Sequence, residues 1–451
     1  MRGQPTLFLA VSLLAGSTNR TWSQQPAERG QPLSLDSAIQ VAVQDNRRVK
    51  STSLEVRKLE DRIAAARTRR LPQLNWYMFG AQRLTELNFR FPRGAFGSYP
   101  NIGPIPEADT SIRAPFQLSA LLIGRVDQPL SQQYQIGLGL RQLEVGREIA
   151  REAERAERHA VIAEVKRTYY GIQQAQAALE SIEEAIQLYR ELDRVTEQYV
   201  LQQVALRSDG LDIKTRLARA EYEVLAIRNP LASQKEHLNS LLGRDITTEF
   251  QVSAVDEAAW IETELGAARK LALERRPEVK QARLKVRQAD YERRLKKADF
   301  IPNLSLSFSY LSPVNYGSLV PANIAVAGLL LNWEPFDWGR KKHELAEKNR
   351  SIEQADLSLR EVETQVTMEV NHRFRKLEEA RQLLAVARLG RESMQEKLRV
   401  ATNRYKQEAA LLREVLQAQA SLAEASHQYS QALLSFWTAR ADFERALGEP
   451  E

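Results

Sequence analysis

ARTRRLPQLNWYMF (66–79) and KKADFIPNLSLSFSY (296–310) make the same transition at two places in the chain. Each stretch begins with charged, helix-favouring residues, passes through a single proline and continues with alternating apolar and polar residues. Proline disfavours the helical conformation in the residue before it, and alternation with a period of two is typical of a strand. We therefore predict a junction between a helix and a strand at Pro72 and again at Pro302.

The two stretches belong to an internal duplication. LDSAIQVAVQDNRRVK (35–50) aligns with LGAARKLALERRPEVK (265–280) at the spacing that separates Pro72 from Pro302, which we call the long offset. Further along the chain the spacing is smaller, because the first half has the longer loop. We call this second spacing, which separates Glu164 from Glu369, the short offset. Two copies are too few for a solenoid, so they favour a pseudo-symmetric structure.

The N-terminal residues are typical of a secretory signal, with Arg2 as the positive start and Leu7 to Gly16 as a short apolar core. The predicted domains are a signal peptide at 1–25, a first repeat at 26–243, an equatorial linker between the repeats at 244–264 and a second repeat at 265–451. The chain has no cysteine, which excludes disulfides and thiolate metal sites. No apolar run is long enough for a transmembrane helix.

Each repeat carries two amphipathic strands. We predict them at about 74–90, 116–130, 303–312 and 323–334. In the third strand, Leu304, Leu306, Phe308 and Tyr310 share one face, whereas Ser305, Ser307 and Ser309 share the other. This alternation is typical of a membrane barrel, although a half-buried strand of a soluble sandwich shows it as well. The stretch 91–115 is rich in proline and glycine, which favours a long extracellular loop.

Each repeat ends in a long helical hairpin, predicted at about 131–243 and 336–448. Val165, Ile172, Leu179 and Ile186 recur every seven residues, which indicates supercoiled helix packing. A helix over most of 131–202 would be about 100 Å long, far longer than a globular core requires.

The strand count constrains the assembly. Four strands cannot close a barrel, and an open sheet edge is not stable in lipid. The chain must therefore complete a barrel with copies of itself, and three copies would give twelve strands, whereas two would give only eight. A homotrimer is the better prediction.

The sequence resembles the TolC-like outer-membrane efflux proteins over essentially the whole mature chain. The likeness is carried by the units at Pro72 and Pro302, by LNWEPFDWGRKKHELAEKN (331–349), and by the hairpin ends LLGRD (241–245) and RALGE (445–449). The resemblance implies an internally duplicated fold in which a homotrimer combines a twelve-stranded transmembrane β-barrel with an α-helical coiled-coil barrel.

The resemblance also implies a function. The protein would be a channel of the outer membrane with a periplasmic helical tunnel, and it would serve as the exit duct of a tripartite efflux pump or a type I secretion system. Its partners would be outer-membrane lipid, a periplasmic adaptor protein and an inner-membrane pump that supplies the energy. The alternative is the adaptor itself, but adaptors have one helical hairpin instead of two. A soluble coiled-coil scaffold would leave the amphipathic strands without a purpose.

The resemblance further implies a gate at the hairpin tips, VALRSDGLDIKTRLARAE (204–221) and YKQEAALLREVLQAQASL (405–422). In the family, tyrosine, arginine and acidic side chains at these tips hold a periplasmic aperture closed. By position, Tyr405 matches the gate tyrosine, and Asp212 and Glu414 match acidic positions.

Two positions depart from the family pattern at the tips. Ala410 stands where the family has the gate arginine, and Gln417 replaces a second acidic residue. Either Arg207 or Arg413 is the candidate substitute for the missing arginine. The candidate gate residues are Arg207, Asp209, Asp212, Tyr405, Arg413 and Glu414. An ordinary solvated hairpin end is the alternative interpretation of these charges.

Nothing in the sequence favours catalysis or cofactor binding. The sequence contains neither a P-loop nor a dinucleotide-binding glycine motif. The five histidines are scattered without metal-ligand spacing: His159, His237, His343, His372 and His427. The 64 basic and 58 acidic residues alternate along the helices, which indicates solvated helix faces and not a nucleic-acid site. We therefore expect no enzyme activity, no cofactor and no metal.

Overall fold

The computed structural model describes residues 32–82, 84–114, 118–203, 206–253, 264–315, 321–407 and 411–448. The signal peptide predicted at 1–25 lies outside the described residues, as does 254–263 of the predicted linker. No helix in the described ranges has an apolar stretch long enough to cross a membrane.

The described residues form long helices and one main antiparallel sheet. The helices are α1 Leu35–Asp45, α2 Arg47–Thr68, α3 Gln132–Leu201, α4 Arg207–Leu241, α5 Leu265–Arg275, α6 Pro277–Ala298, α7 Arg340–Lys406 and α8 Leu412–Leu447. The strands are β1 Gln73–Gln82, β2 Leu87–Phe91, β3 Ser98–Tyr99, β4 Gly103–Pro104, β5 Thr110–Ala114, β6 Leu118–Pro129, β7 Asn303–Val314 and β8 Ile324–Asn332.

The duplication read from the sequence is visible in the element boundaries. The helices α1 and α5 are both 11 residues long, and the helices α2 and α6 are both 22 residues long. Both α5 and α6 begin at the long offset from their counterparts. The helices α2 and α6 begin at matching positions, but the backbone groups of their first turns are satisfied in different ways. The Asn46 side chain accepts a hydrogen bond from the Arg48 amide at 2.8 Å, whereas α6 begins with Pro277, whose missing N–H needs no partner there.

The helices form a layer that continues the order of the strands. The long helix α3 packs against α2 and α4 on one side and against α6 and α8 on the other, and α6 and α8 then pack against α7. The main sheet has the order β1-β6-β7-β8, and its strands adjoin α2, α3, α6 and α7 along the chain. Each chain is therefore a slab with a sheet at one end and helical hairpin tips at the other.

Each repeat has its own buried core, built from corresponding residues. The first core contains Ala38, Ala42, Val49, Val161, Val165, Tyr169, Ile172, Leu238, Leu241 and Leu242. Their counterparts, at the long offset for the first three and at the short offset for the rest, are Ala268, Ala272, Val279, Val366, Val370, Phe374, Leu377, Phe443, Ala446 and Leu447. Both copies of the unit therefore pack in the same way.

The prediction of one strand over 74–90 is wrong. The strand β1 ends at Gln82, and β2 pairs with β5 in a separate two-stranded sheet, with Phe89 opposite Ile112. The stretch 91–115, expected to be irregular, contains β3, β4 and β5. These strands have two to five residues each, too few for a periodic pattern to stand out among prolines and glycines.

Gly243 gives a direct test of the packing where α4 ends. Its φ of +69° lies in the left-handed region, and a Cβ atom there would lie 2.4 Å from the carbonyl oxygen of Asp45. We predict that Gly243→Ala lowers the free energy of unfolding by about 1–3 kcal/mol. Gly210→Ala is the control, because its Cβ would meet no atom within 4 Å and alanine favours a helix by about 1 kcal/mol. The measurement is thermal unfolding followed by circular dichroism. An equal change in the unfolding free energy of both variants would contradict this packing.

His159 is buried where the two repeats meet. It lies on α3 near Arg276, which directly precedes α6, and near Glu278 of α6 and Arg445 of α8. Its Nε2 has no hydrogen-bond partner among the described residues. Burial, together with the smaller effect of the nearby Arg155 charge, lowers the pKa of His159 to about 4. The folded protein therefore holds this histidine neutral.

The lowered pKa of His159 predicts a loss of stability in acid. The stabilisation is fully present above the unfolded pKa of about 6.5 and is lost towards pH 4 at about 1.4 kcal/mol per pH unit. His159→Gln should remove this part of the pH dependence. The exposed His427, changed to Gln, is the control and should leave it intact. Unfolding curves between pH 7 and pH 4 that coincide for wild type and His159→Gln would refute the assignment.

Candidate functional site

At the helical end of the main sheet, the register places most of the apolar side chains on one face. Leu74 lies opposite Val126, which lies opposite Phe308 on the next strand. Successive side chains of a strand alternate between faces, so the residues of this apolar face follow from the register. They include Leu74, Trp76, Met78, Leu122, Val126, Leu304, Leu306, Phe308, Leu329 and Leu331. The alternation predicted for the third strand is confirmed.

The opposite face is polar near the helices. Asn75 lies opposite Arg125, which lies opposite Ser309, and the Arg125 Nε donates a hydrogen bond to Asp127 at 2.9 Å. Further from the helices this face also carries apolar side chains such as Tyr77, opposite Ile123. The sheet is therefore amphipathic, with a band of polar groups at its helical end.

The apolar face is uncovered in a single chain. Met78 is 80% exposed, Leu329 is 68% exposed and Leu74 is 60% exposed. Isolated exposed leucines are ordinary, but a continuous apolar face of this size marks contact with a membrane or a partner. An apolar outer face opposite a polar inner face is the arrangement of a transmembrane β-barrel wall.

Trp76 explains the glycine in the middle of β6. It lies directly opposite Gly124, and a Cβ atom at Gly124 would come within 2.7 Å of the indole ring. The ring therefore fills the space that a side chain at Gly124 would take. Sequence reasoning did not identify this pair, because the two residues lie on different strands.

The sheet has two open edges. Within the described residues, β1 pairs only with β6, and β8 pairs only with β7. The outer N–H and C=O groups of these two strands need partners, since water cannot supply them inside a bilayer. The edges are nine and ten residues long, which suits the height of a membrane barrel.

The two prolines stand directly before the strands. Pro72 precedes Gln73, the first residue of β1, and Pro302 precedes Asn303, the first residue of β7. Ser131 fixes the second junction, because its Oγ donates to the Pro302 carbonyl at 2.7 Å and accepts from the Leu304 amide at 2.8 Å. The turn from helix to strand is thus held by hydrogen bonds from the start of α3.

Aromatic side chains surround these junctions. Tyr134, Phe300, Trp333, Phe336 and Trp338 are all about half or more exposed. The rings of Phe336 and Trp338 pack edge to face with centroids 5.0 Å apart. Aromatic residues at one end of an apolar band are typical of the boundary between lipid and water. Their clustering at one level was not predicted from the sequence.

A charge network joins the repeats where α3, α7 and α8 meet. Asp442, buried on α8, accepts from the Arg167 Nε at 2.8 Å and from Arg373 on α7. Beside it, the Lys166 Nζ lies 2.7 Å from a Glu444 carboxylate oxygen. A buried carboxylate between two guanidinium groups fixes the relative position of three helices. The partners are up to 278 residues apart, so their spacing in the sequence does not predict these contacts.

The predicted gate residues lie at the hairpin tips, at the end of the slab away from the sheet. Arg207 and Asp209 are in the first turn of α4, and the Asp209 carboxylate accepts from the Leu206 amide at 3.1 Å. Asp212 is exposed one turn further along α4. Asp209 thus caps its helix in the structure.

The second tip has the same form. Tyr405 lies in the last turn of α7, and the exposed Arg413 and Glu414 lie in the first turn of α8. Glu414 is the counterpart of Asp209 at the short offset, in the matching turn of its helix. The turns themselves, 204–205 and 408–410, lie outside the described residues. Among the described residues, no ion pair involves Arg207, Asp212, Arg413 or Glu414.

Within the described part of the chain, no three histidine, aspartate or glutamate side chains converge to hold a metal ion. The surface clefts are shallow and lined by charged helix residues, such as the 390 Å³ cleft between α3 and α6 that Glu148 and Arg283 line. The features that stand out are therefore the amphipathic sheet, its edges and the hairpin tips.

Comparisons with known proteins agree with this geometry. Residues 268–449 match the family described as "Outer membrane efflux protein". No curated protein sequence matches the chain significantly. The solved structures that it resembles include CusC, with a TM-score of 0.74, 17% identity and coverage of 92% of each chain.

Two further similar structures come from named organisms. The CmeC outer membrane channel of Campylobacter jejuni has a TM-score of 0.73 and 14% identity, covering 98% of this chain and 94% of that one. The MtrE outer membrane channel of Neisseria gonorrhoeae has a TM-score of 0.70 and 16% identity, covering 92% and 89%. The resemblance is thereby confirmed: the second repeat matches the outer membrane efflux protein family, and the chain as a whole has the fold of the TolC-like outer-membrane channels.

Proposed function

We propose that three copies of this chain form a passive channel across the outer membrane, the exit duct of a tripartite efflux pump or a type I secretion system. One observation carries the proposal: within the described residues, a four-stranded sheet has an apolar face, an opposite face that is polar near the helices, and two unpaired edges. Lipid would cover the apolar face, neighbouring copies would pair the edges, and the polar face would line a water-filled bore.

The number of copies follows from closure. Four strands per chain give twelve in a trimer, within the size range of membrane barrels, whereas eight would be filled by their own side chains. The helices close in the same way, because α7 and the pair α2 and α4 are the open sides of the slab. A cylinder of three slabs would continue the bore from the barrel into a helical tunnel.

The length of the helices supports a tunnel through the periplasm. The helix α3 has 70 residues and would extend about 105 Å at 1.5 Å per residue. Such a duct delivers substrate past the periplasm only if another protein loads it, so an inner-membrane pump and a periplasmic adaptor are the implied partners. The energy for transport would come from that pump, since a water-filled wall only provides a path.

The hairpin tips would form the gate of this duct. Asp212 and Glu414 are exposed near the tips, where threefold symmetry would arrange each of them as a ring of carboxylates. Such rings attract cations, and links from Arg207 or Arg413 of a neighbouring copy would hold the aperture closed. Each exposed ion pair contributes only about 0–1 kcal/mol, so binding of an adaptor could break them.

The oligomeric state tests the proposal most directly. The detergent-solubilised protein should have the mass of three chains in native mass spectrometry, and it should produce conductance steps in planar bilayers. Leu306→Arg places a charge on the apolar face and should lower the yield of trimer, with a cost of about 2–4 kcal/mol per chain. The adjacent Ser307→Arg, on the polar face, is the matched control and should assemble. A monomer that stays soluble without detergent would disprove the proposal.

The gate residues are tested by selectivity. Changing Asp212 to Asn and Glu414 to Gln should reduce the preference for cations over anions, measured as a reversal potential under a salt gradient. The control is Glu236→Gln, because Glu236 is an exposed charge on the same helix at a distance of about 36 Å from Asp212 along the helix axis. If the double variant and the control have the selectivity of the wild type, these carboxylates do not form the aperture.

A further inference from the structure

We infer that a basic cleft between α2 and α3, which we call the boundary cleft, binds the phosphate headgroup of an anionic phospholipid. The cleft lies at the helical end of the main sheet, beside the junction at Pro72. The inference rests on the proposed channel, because a chain seated in the outer membrane would bring this level next to lipid headgroups.

The boundary cleft is large enough to admit a headgroup. Its volume is 390 Å³, within the range of about 300–1,000 Å³ that is usual for ligand pockets. The lining comes from the end of α2, the turn after it and the beginning of α3: Arg67, Arg70, Gln133, Tyr134, Gly137, Leu138, Leu140, Arg141 and Glu144.

Positive charge predominates in this cleft. Its three arginines face a single carboxylate, Glu144, which lies 3.7 Å from Arg67. Arg70 and Arg141 are both exposed, and among the described residues neither takes part in an ion pair. An excess of positive charge in a cleft attracts anions. Guanidinium groups suit phosphate in particular, because they can donate two parallel hydrogen bonds to its oxygens.

A neighbouring cleft near the same end of α3 lacks this excess. It lies between α3, α6 and α7, and its charged lining consists of Lys296, Lys348, Glu292 and Asp299. The Lys296 Nζ lies 2.9 Å from the Asp299 carboxylate, and the Lys348 Nζ lies 3.8 Å from Glu292. The charges of this second cleft are therefore balanced within the chain, whereas those of the boundary cleft are not.

The second repeat folds without the corresponding arginines. The counterpart of Arg70 at the long offset is Phe300, and the counterpart of Arg141 at the short offset is Ala346. The helices α2 and α6 nevertheless have the same length and lead into their strands in the same way. Packing at the junction thus does not require these arginines, which leaves them available for a ligand.

Arg70 is held in place at the cleft. Its carbonyl oxygen accepts hydrogen bonds from the Gln128 Nε2 at 3.0 Å and from the Gln133 Nε2 at 2.8 Å. Its guanidinium lies against Gly137, where a Cβ atom would be 3.2 Å from the Arg70 Nη2. Because the backbone is fixed and the glycine leaves room for the guanidinium, little further ordering is needed when an anion binds.

The cleft opens on the outer side of the proposed tunnel. Tyr134, Arg141 and Tyr169 are separated by multiples of seven residues on α3, so they lie along one stripe of a supercoiled helix. The Tyr169 Oη donates to the Leu33 carbonyl at 2.7 Å, just before α1 begins. The helix α1 would obstruct a bore that it faced, so this stripe faces away from the bore.

The level of the cleft matches the headgroup region of a membrane. Tyr134, which lines the cleft, is 57% exposed and belongs to the aromatic side chains around the junctions. Arg70 lies three residues before Gln73, the first residue of β1. Aromatic rings at such a boundary lie among lipid headgroups, and basic pockets beside them bind lipid phosphates.

Native mass spectrometry tests the cleft with a defined lipid. The detergent-solubilised protein, titrated with phosphatidylglycerol, should retain one lipid per chain. Arg70→Gln with Arg141→Gln should weaken this binding by roughly 25-fold, since each arginine near an anionic headgroup contributes about a factor of five. Binding by the double variant that equals binding by the wild type would overturn the inference.

The matched control is Arg47→Gln with Lys270→Gln. It removes the same charge from two exposed positions, one at the start of α2 and one on α5. Arg47 is about 30 Å from Arg67 along the axis of α2. The control should bind the lipid as the wild type does, and an equal loss in both double variants would show attraction by net charge alone and contradict a built site.

Two further titrations define the ligand. Phosphatidylcholine, which has the phosphate without the net negative charge, should bind at least about five times more weakly than phosphatidylglycerol. Inorganic phosphate in excess should not displace the lipid, because it lacks acyl chains to contact the apolar face of the sheet. Equal binding of the two lipids, or release of phosphatidylglycerol by inorganic phosphate, would overturn the inference.

The cleft lies within one repeat, so lipid can be counted per chain in any oligomeric state. A trimer that conducts but shows no lipid binding that depends on the arginines would overturn this inference and leave the channel intact. A chain that binds the lipid through these arginines but never forms a trimer would instead overturn the proposed function.

Discussion

The structure depends on one requirement: the outer backbone groups of β1 and β8 must be hydrogen-bonded where water is absent. Each unpaired N–H or C=O group in hydrocarbon costs several kcal/mol, so a sheet with two bare edges is not stable in a bilayer. A chain with an apolar sheet face and only four strands cannot meet this requirement alone. The slab of long helices also has two uncovered sides, so the helices need a partner as the strands do.

The duplication meets this requirement with a single kind of structural unit. Because the two repeats pack in the same way, one kind of contact can serve inside the chain and between chains. The corresponding cores around Val165 and Val370 show that the repeats kept the same packing while their surfaces diverged. Closure then needs no separate interface, only the repetition of an existing one around an axis.

Much of this could be predicted from the sequence, because the decisive patterns are local. The alternation from Leu304 to Tyr310 determined the two faces of β7, and the matching transitions at Pro72 and Pro302 revealed the repeats. The prediction failed at β2 and β5, where pairing of five-residue strands overrides the weak local signal of a loop. The Asp442 network and the position of Trp76 over Gly124 depend on residues brought together only by folding. The tip charges were selected by family position, and one chain does not bring them together.

The contact between the two repeats differs from the open sides of the slab at the level of Asp442, and this difference bears on how the proposed duct could open. Inside the chain, the buried Asp442 carboxylate is held by Arg167 and Arg373. The residues at the positions matching Arg167 and Asp442, related by the short offset, are His372 and His237. Both are exposed in a single chain, and His237 lies 3.2 Å from Glu164 of its own repeat. Exposed ion pairs contribute little each. In the proposed trimer, the contact between copies would therefore be weaker at this level than the contact between the two repeats, and a movement that widens the proposed tunnel would separate copies before it separated the halves of a chain.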